Sequence, residues 1–218
     1  MPKAKPLYVF GRIVLTPIFK VIYRTKYHNK NNIPAEGRYI LACNHITYSD
    51  PVVLGLGQKR QLYFMAKAEL FKNKAFGALI KALGAFPVYR SEGDKEAINH
   101  GEELLKNGNV MAIFIEGTRS RTGELLRPRS GAAMIAYATH TPVIPACITI
   151  KGGGRKPFGK RIVRFGEPMT VEELGLLTGS SKEFRNASRK IMEKITEMRE
   201  HDLWQQYSLQ RLPVFATA

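Results

Sequence analysis

The sequence has 218 residues, of which 44% are hydrophobic and 24% are charged, a composition that is typical of one folded globular domain and excludes a wholly disordered chain. Thirty-four lysines and arginines against eighteen acidic residues give a formal net charge of +16. A positive excess of this size predicts an anionic partner, and the candidates are nucleic acid, an anionic membrane surface and a phosphorylated substrate.

The opening segment is both basic and apolar. Residues 7–23 are rich in aliphatic and aromatic side chains, but Arg12, Pro17 and Lys20 interrupt them. A membrane span needs about 18–20 uninterrupted apolar residues, so the pattern favours an interfacial helix, or two short helices hinged at Pro17. A helix packed on the protein's own core is the alternative. The flanking cations would meet anionic headgroups, and they are Lys3, Lys5, Arg24, Lys26 and Lys30.

Short apolar runs alternate with helical patterns along the rest of the chain. Strands are predicted at residues 38–45, 61–67, 84–90, 109–117, 141–150 and 161–166, and the helices between and after them include residues 69–83, 131–138 and 184–198. The alternation predicts a single α/β domain with a central, mostly parallel sheet flanked by helices. We expect two parts, an N-terminal membrane-associating helical segment at residues 1–32 and the folded domain at residues 33–218.

The two cysteines, Cys43 and Cys147, each lie inside a predicted strand. Neither has a neighbour at the spacing of metal ligands, so we predict buried free thiols rather than a metal site. Reduced thiols fit a location that faces the cytosol.

The segment NHITYSD, residues 44–50, places a histidine at the end of an apolar run and an aspartate five residues later. Five residues do not put two side chains on one helix face, but a strand followed by a tight turn can return the carboxylate to the ring. His45 and Asp50 are therefore candidates for a general-base pair in which the carboxylate fixes the imidazole tautomer. Plainer interpretations stay open: His45 as a turn residue, and Asp50 as the N-cap of a helix that begins with Pro51.

The segment FIEGTRSRTGELLRPRSG, residues 114–131, leaves a predicted buried strand and becomes rich in arginine. Gly117 permits a close backbone turn, and Thr118 offers a hydroxyl group. The guanidinium groups that follow match phosphate oxygens in bidentate fashion, and they belong to Arg119, Arg121, Arg127 and Arg129. The GxxxxGK[ST] pattern of a nucleoside-triphosphate loop is absent. A solvated basic loop is the alternative interpretation.

Three polar residues, His45, Arg90 and Glu116, fall at the ends of predicted strands. Open α/β sheets bind their ligands in the crevice at the carboxyl ends of the strands. We therefore expect these residues to line one crevice, where Arg90 would add a further phosphate contact.

Four segments, NHITYSD, GAFPVYR, FIEGTRS and VIPA, resemble in this order the four sequence blocks of the glycerolipid acyltransferases, specifically the bacterial 1-acylglycerol-3-phosphate acyltransferases. The resemblance covers residues 37–165 and implies a glycerol-3-phosphate acyltransferase-like fold for the domain at 33–218. It implies His45 and Asp50 as the catalytic pair. It also implies a phosphate-binding set made of Arg90, Glu116, Gly117, Thr118, Arg119 and Arg129. Thr47, Ile115 and Arg129 stand where the family usually has serine, proline and lysine.

The resemblance implies transfer of an acyl group from acyl-CoA or acyl carrier protein to the free sn-2 hydroxyl of 1-acylglycerol-3-phosphate, giving phosphatidic acid. No metal or other cofactor is implied, and the enzyme would sit on the cytoplasmic face of the cell membrane as a peripheral or monotopic protein. Backbone amides near residues 143–145 are our expectation for the oxyanion donors.

Other functions stay open from the sequence. Within the family, the acceptor could be glycerol-3-phosphate or another lyso-lipid. A thioesterase or hydrolase could use the same pair, although the G-x-S-x-G nucleophile elbow is absent. A basic nucleic-acid-binding protein would explain the charge, but neither zinc-finger spacing nor an RNA-binding aromatic signature is present, so we expect no nucleic-acid partner.

Overall fold

The computed structural model describes residues 2–88, 95–153, 156 and 158–210, and within them seven strands form one sheet with six α-helices around it. The strands are β1 (Lys26–His28), β2 (Ile40–Cys43), β3 (Leu62–Lys67), β4 (Ala85–Val88), β5 (Val110–Phe114), β6 (Val143–Ile150) and β7 (Arg161–Phe165). The helices are α1 (Pro6–Tyr23), α2 (Asp50–Leu56), α3 (Lys74–Ala82), α4 (Lys95–Lys106), α5 (Gly131–Thr139) and α6 (Ser181–Gln210).

The strand order is β1-β7-β6-β2-β5-β3-β4, and every neighbouring pair is parallel except β6 and β7. The predicted α/β architecture with a mostly parallel sheet is therefore confirmed. Strand β2 lies between β5 and β6, which explains why all four of its residues are buried. Strand β1 was not predicted, because a three-residue stretch is too short to show a period. The sheet thus begins at Lys26, inside the segment assigned to residues 1–32.

Helices cover both faces of the sheet, and the alternation along β2 shows how the core is divided. Ile40 and Ala42 point to the face that α4, α5 and α6 cover, whereas Leu41 and Cys43 point to the face that α1 and α2 cover. Cys43 and Cys147 are both free and buried, as predicted, and burial raises the pKa of each thiol. Two continuous apolar layers therefore hold the carboxyl ends of β2 and β5 in fixed positions.

Helix α1 is continuous from Pro6 to Tyr23, so the predicted hinge at Pro17 is absent. Pro17 has no N–H to donate and its ring crowds the preceding turn, where the Thr16 hydroxyl donates to the Arg12 carbonyl at 2.6 Å. The helix has a mean hydropathy of 1.3 over 18 residues, so by length and composition it could cross a membrane. Length and composition therefore permit a span as well as the predicted interfacial helix.

One face of α1 packs against the domain along its whole length. Tyr8 donates to the Arg60 carbonyl at 3.2 Å near the start of the helix, and Phe19 and Tyr23 pack on the core near its end. The predicted alternative of a helix packed on the core is thus correct for this face. The opposite face is exposed and apolar, and it is formed by Leu7, Val9, Phe10, Ile13, Val14, Ile18, Val21 and Ile22.

Candidate active site

The His45 turn, residues 44–50, connects the carboxyl end of β2 to the start of α2. The His45 Nδ1 atom lies 2.9 Å from Asp50 Oδ2, so the predicted contact between ring and carboxylate is present. The same oxygen accepts the backbone N–H groups of Ile46 at 2.6 Å and Thr47 at 2.7 Å, and the Thr47 hydroxyl donates to Asp50 Oδ1. Four donors therefore converge on one carboxylate whose side chain is 0% exposed.

The interpretation of Asp50 as a pure N-cap was wrong. Ser49 occupies the N-cap position, and Asp50 is the first residue of α2. Its carboxylate turns back toward the preceding turn instead of toward the free N–H groups of its own helix. The side chain therefore closes the His45 turn and orients the imidazole.

The imidazole of His45 is supported on a second side by an aromatic ring. It stacks on Phe114, the last residue of β5, with ring centroids 3.9 Å apart and an interplanar angle of 16°. The neighbouring Asn44 side chain exchanges hydrogen bonds with the backbone of Ile148 in β6, at 3.0 Å and 2.8 Å. The ring is held between strands on both sides yet keeps 16% of its side-chain surface exposed. The imidazole is therefore held in a fixed position and remains accessible from the surface.

Glu116 ties the His45 turn to the arginine-rich loop. One carboxylate oxygen accepts the His45 backbone N–H at 3.0 Å, and the other accepts the Leu126 N–H at 3.1 Å. The Ser120 N–H also donates to the His45 carbonyl at 2.8 Å. Burial raises the pKa of Glu116 to about 7, against the lowering effect of its two backbone hydrogen bonds. The buried Glu116 carboxylate therefore links the His45 turn to the arginine-rich loop.

The raised pKa of Glu116 predicts a pH-dependent stability. The folded protein binds this proton more tightly than the unfolded chain, so the free energy of unfolding should fall as the pH rises from 4.5, the ordinary value, to about 7. Urea unfolding at several pH values should show wild type losing stability between pH 5 and pH 8 relative to Glu116→Gln. Glu193→Gln, an exposed change on α6, is the control. A wild-type minus Glu116→Gln difference that stays constant with pH would contradict the assignment.

The arginine-rich loop returns beside the His45 turn. Gly117 has φ +69°, and a methyl group there would lie 3.1 Å from Cγ of Arg129, so glycine allows the Arg129 side chain to cross the backbone. Arg119 places its guanidinium 3.4 Å above the ring of Tyr48, which belongs to the His45 turn. Thr118 is exposed. Arg119 therefore contacts the turn that carries His45, and Arg129 lies against the backbone that follows Glu116.

The structure brings most of the predicted residues to one edge of the sheet. His45, Asp50 and Glu116 share hydrogen bonds, and the loop of Gly117, Thr118, Arg119 and Arg129 lies beside them. Arg90 lies outside the described residues.

The expectation for the oxyanion donors was wrong. Val143 is paired with Ile40 at the amino end of β2, whereas His45 follows the carboxyl end. The Val143 N–H donates to the Met169 carbonyl at 2.9 Å, and Pro145 has no N–H.

Sequence reasoning missed two supporting residues, Phe114 and Tyr48. Phe114 reads as one more apolar residue of a buried strand, and Tyr48 as an exposed residue of a turn. Only the pairing of β2 with β5 brings the Phe114 ring under the imidazole. A partial signal existed, because an aromatic residue inside the NHITYSD segment is surrounded by polar residues and not by a core pattern.

Comparisons with known proteins agree with this geometry. Residues 24–149 match the model of the acyltransferase family. The 1-acyl-sn-glycerol-3-phosphate acyltransferase of Bacillus subtilis (strain 168) is 36% identical over 166 residues, which are 75% of this chain and 82% of that protein. The enzyme of the same name from Streptococcus pneumoniae is 30% identical over 174 residues, covering 77% of this chain and 63% of that protein.

A solved structure gives the same result for the fold. The crystal structure of the 1-acyl-sn-glycerophosphate acyltransferase from Thermotoga maritima superposes with a TM-score of 0.68 at 28% identity, and the match covers 91% of this chain and 78% of that chain. Its extent shows that the sheet and the helices on both faces are shared. The chain described here belongs to the acyltransferase family.

Proposed function

We propose that this protein transfers an acyl group from acyl-CoA or acyl carrier protein to the sn-2 hydroxyl of 1-acylglycerol-3-phosphate, giving phosphatidic acid. The observation that carries the proposal is the 2.9 Å contact between His45 Nδ1 and Asp50 Oδ2 at an edge that also holds Arg119 and Arg129. The relatives of known activity bear the name of this reaction. In this proposal the two arginines bind the acceptor and the histidine–aspartate pair carries out the catalysis, and all of them lie at the same edge of the sheet.

The proposed chemistry is direct transfer with His45 as general base. Nδ1–H donates to Asp50, so Nε2 carries the free lone pair and takes the proton of the acceptor hydroxyl as its oxygen attacks the thioester carbonyl. A C–O bond forms, the tetrahedral centre collapses and the C–S bond breaks. The proton on Nε2 then passes to the thiolate that leaves. This sequence of steps needs no metal ion and no cofactor besides the acyl donor itself.

The guanidinium groups of Arg119 and Arg129 would hold the acceptor's phosphate. Arginine binds phosphate in bidentate fashion, and a bound phosphate would fix the distance from the glycerol sn-2 oxygen to Nε2. Tyr48 supports this role for Arg119, since stacking at 3.4 Å limits the positions of the guanidinium. Glu116 acts through the backbone, because its two oxygens face the amides of His45 and Leu126. We assign it a positioning role and not a substrate contact.

An assay of the purified full-length chain tests the proposal directly. Acyl-CoA and acyl carrier protein donors are each combined with lysophosphatidate, glycerol-3-phosphate and monoacylglycerol, and the lipid products are separated. We expect phosphatidic acid from lysophosphatidate and no product from monoacylglycerol, which lacks the phosphate. Release of free fatty acid without any acceptor would favour a thioesterase instead. Acylation of glycerol-3-phosphate in preference to lysophosphatidate would move the activity to the alternative acceptor.

We further propose that α1 lies in the membrane interface, on the cytoplasmic side, and does not span the bilayer. Both ends of the helix are fastened to the same domain, by Tyr8 to the Arg60 carbonyl and by Tyr23 over the guanidinium of Arg161. A helix held along its length on a domain surface presents one face to lipid and cannot cross the bilayer alone. The exposed apolar face of α1 and the lysines around it suit an anionic headgroup layer.

Polar substitution on the exposed face of α1 should release the protein from membranes. Phe10, Ile13 and Val21 are 63%, 68% and 76% exposed, so a triple change to serine should leave the unfolding temperature unchanged. Each lost apolar contact removes about 1.5–3 kcal/mol of burial, so cosedimentation with anionic vesicles should weaken at least about 100-fold. Deleting residues 1–28 is a poorer test, since it also removes β1 and core aromatics.

The matched control for this test changes Leu177 and Trp204 to serine, because these side chains are 71% and 69% exposed and lie outside α1. The control should bind vesicles like the wild type. Undiminished cosedimentation of the α1 variant would contradict the interfacial assignment.

A further inference from the structure

Arg161 is a buried cation that the proposed chemistry has not used. It is the first residue of β7 and pairs with Ile150 at the carboxyl end of β6, the same edge of the sheet as the His45 turn. Only 1% of its surface is exposed, and it is the bulkiest of the fully buried side chains in the described part of the chain. Burying a charge is costly unless other groups compensate it, so this arginine calls for a physical explanation.

Arg161 lies between the end of α1 and the His45 turn. Its Nη1 donates to Ser49 Oγ at 2.6 Å, and its guanidinium carbon lies 3.8 Å from the centre of the Tyr23 ring. Ser49 Oγ is in turn 3.1 Å from Thr47 Oγ1, and the Thr47 hydroxyl bonds Asp50 Oδ1. A continuous chain of hydrogen bonds therefore leads from the guanidinium to the carboxylate that orients His45.

The direction of every bond in this chain follows from the groups at its two ends. A guanidinium can only donate, so Ser49 accepts from Arg161; an ionised carboxylate can only accept, so Thr47 donates to Asp50. The Ser49 hydroxyl must then donate to Thr47. All three donors point toward Asp50, and hydrogen bonds aligned in this way strengthen one another.

Electrostatics supports the same connection. Burial lowers the pKa of Arg161, and the charge of Asp50 is the largest influence that raises it again. The negative charge of Asp50 thus favours the charged form of the guanidinium. Tyr23 on α1 and Tyr27 on β1 also act on Arg161, whereas His45, Cys43 on β2 and Glu116 after β5 surround Asp50.

We propose that Arg161 is a positioning residue of the acyl transfer, which locks the His45 turn through Ser49 and Thr47 and so holds the Asp50 carboxylate against the imidazole. This inference rests on the proposed function. Without the guanidinium, Ser49 loses the donor that sets the direction of the chain, and the carboxylate is held less firmly. The segment matched to the family ends at residue 149, before Arg161.

The test compares Arg161→Met with the wild type. The kcat should fall about tenfold or more in the variant while KM for lysophosphatidate stays unchanged, because the carboxylate no longer holds the ring in one position. The backbone amides of Ile46 and Thr47, which donate to Asp50, should exchange with deuterium faster in the variant than in the wild type. Arg161→Lys, which keeps a charged donor, should regain part of the lost kcat.

Arg164→Met is the matched control. Arg164 lies on the same strand and is also mostly buried, but it pairs with Asp202 at 2.6 Å under α6. Its loss should reduce stability and leave the kcat of each folded molecule unchanged. Wild-type kcat together with wild-type exchange of the Ile46 and Thr47 amides in folded Arg161→Met would overturn the proposal.

Ser49→Ala gives an independent measurement if Arg161→Met does not fold. It retains the buried charge and breaks the hydrogen-bond chain, so kcat should fall about tenfold with KM unchanged. Unchanged kcat would overturn the positioning role. The amide-exchange measurement needs no substrate, so it stands even if the wild type fails to acylate lysophosphatidate, an outcome that would end the proposed function alone.

Discussion

Replacing His45 by alanine should lower kcat by about 10²–10⁴-fold, the usual contribution of a positioned general base. The substitution removes the only group of the edge that the mechanism uses to move a proton. It should leave KM for lysophosphatidate nearly unchanged, because the phosphate is assigned to Arg119 and Arg129. Initial rates over a range of acceptor concentrations separate the two constants.

The fold should tolerate this change. Asp50 keeps its bonds from the Ile46 and Thr47 amides when the ring is absent, so the turn remains closed. The unfolding temperature of His45→Ala is therefore expected to lie within a few degrees of the wild type. His100→Ala on α4, which removes an imidazole that contacts Phe86 on the other face of the sheet, should keep full turnover. Near-normal turnover by folded His45→Ala would end the proposal of general-base catalysis.

Asp50→Asn should lower kcat by about 10²-fold or more, because a neutral amide does not stabilise the imidazolium that forms as the acceptor hydroxyl loses its proton. The oxygen that faces Nδ1 also accepts the Ile46 and Thr47 amides, so an asparagine oxygen in that place keeps the turn closed and places the NH₂ group toward the Thr47 hydroxyl. The substitution therefore removes the charge of Asp50 and leaves its contact with the ring. If the only role of Asp50 were to stabilise the turn, the variant would lose about 1–3 kcal/mol in the free energy of unfolding and would keep the wild-type kcat.

Asp202→Asn distinguishes these two outcomes. Asp202 is as completely buried as Asp50, and it accepts bonds from Arg164 and Thr149. Its replacement should reduce stability while each folded molecule turns over at the normal rate. Urea unfolding and active-site-normalised turnover for both variants give the comparison. Equal turnover of the two variants would contradict the proposed role of Asp50.

Helix α1 and Arg161 together connect the proposed membrane-binding surface to the His45 turn. Tyr23 ends α1 and covers the guanidinium that bonds Ser49 in the His45 turn. A displacement of the end of α1 would thus reach His45 and Asp50 through three hydrogen bonds. The proposed anchor and the proposed base therefore belong to one packed unit.

Much of the fold could be predicted from local sequence patterns. Apolar runs of strand length that alternate with helical patterns predict a parallel α/β sheet, since burial on both faces demands continuous apolar strands. The carboxyl-edge rule for such sheets also predicts that His45 and Glu116 lie close together, and their hydrogen bond at 3.0 Å agrees. These inferences succeed because periodicity and strand ends are local properties of the chain.

The remaining features depend on contacts between residues far apart in the chain. Whether Asp50 caps its helix or turns back to His45 depends on the path of the turn, which β5 and β6 constrain on either side of β2. Arg161 could be taken for an exposed residue because it is charged. It alternates with the less buried residues of β7, however, and so points to the same buried side as Val163 and Phe165. Its partner Ser49 lies 112 residues earlier, a separation that no local pattern encodes.

The sequence by itself determined the architecture, the histidine–aspartate pair and the arginine-rich loop, because residue type and short-range spacing specify strands, turns and charged segments. Only the tertiary structure decided which face of α1 is exposed and that α1 continues through Pro17. It also decided that the buried guanidinium of Arg161 is linked by hydrogen bonds to the histidine–aspartate pair. The physical reason is that burial and electrostatic compensation are properties of the packed chain, in which distant segments share one low-dielectric interior.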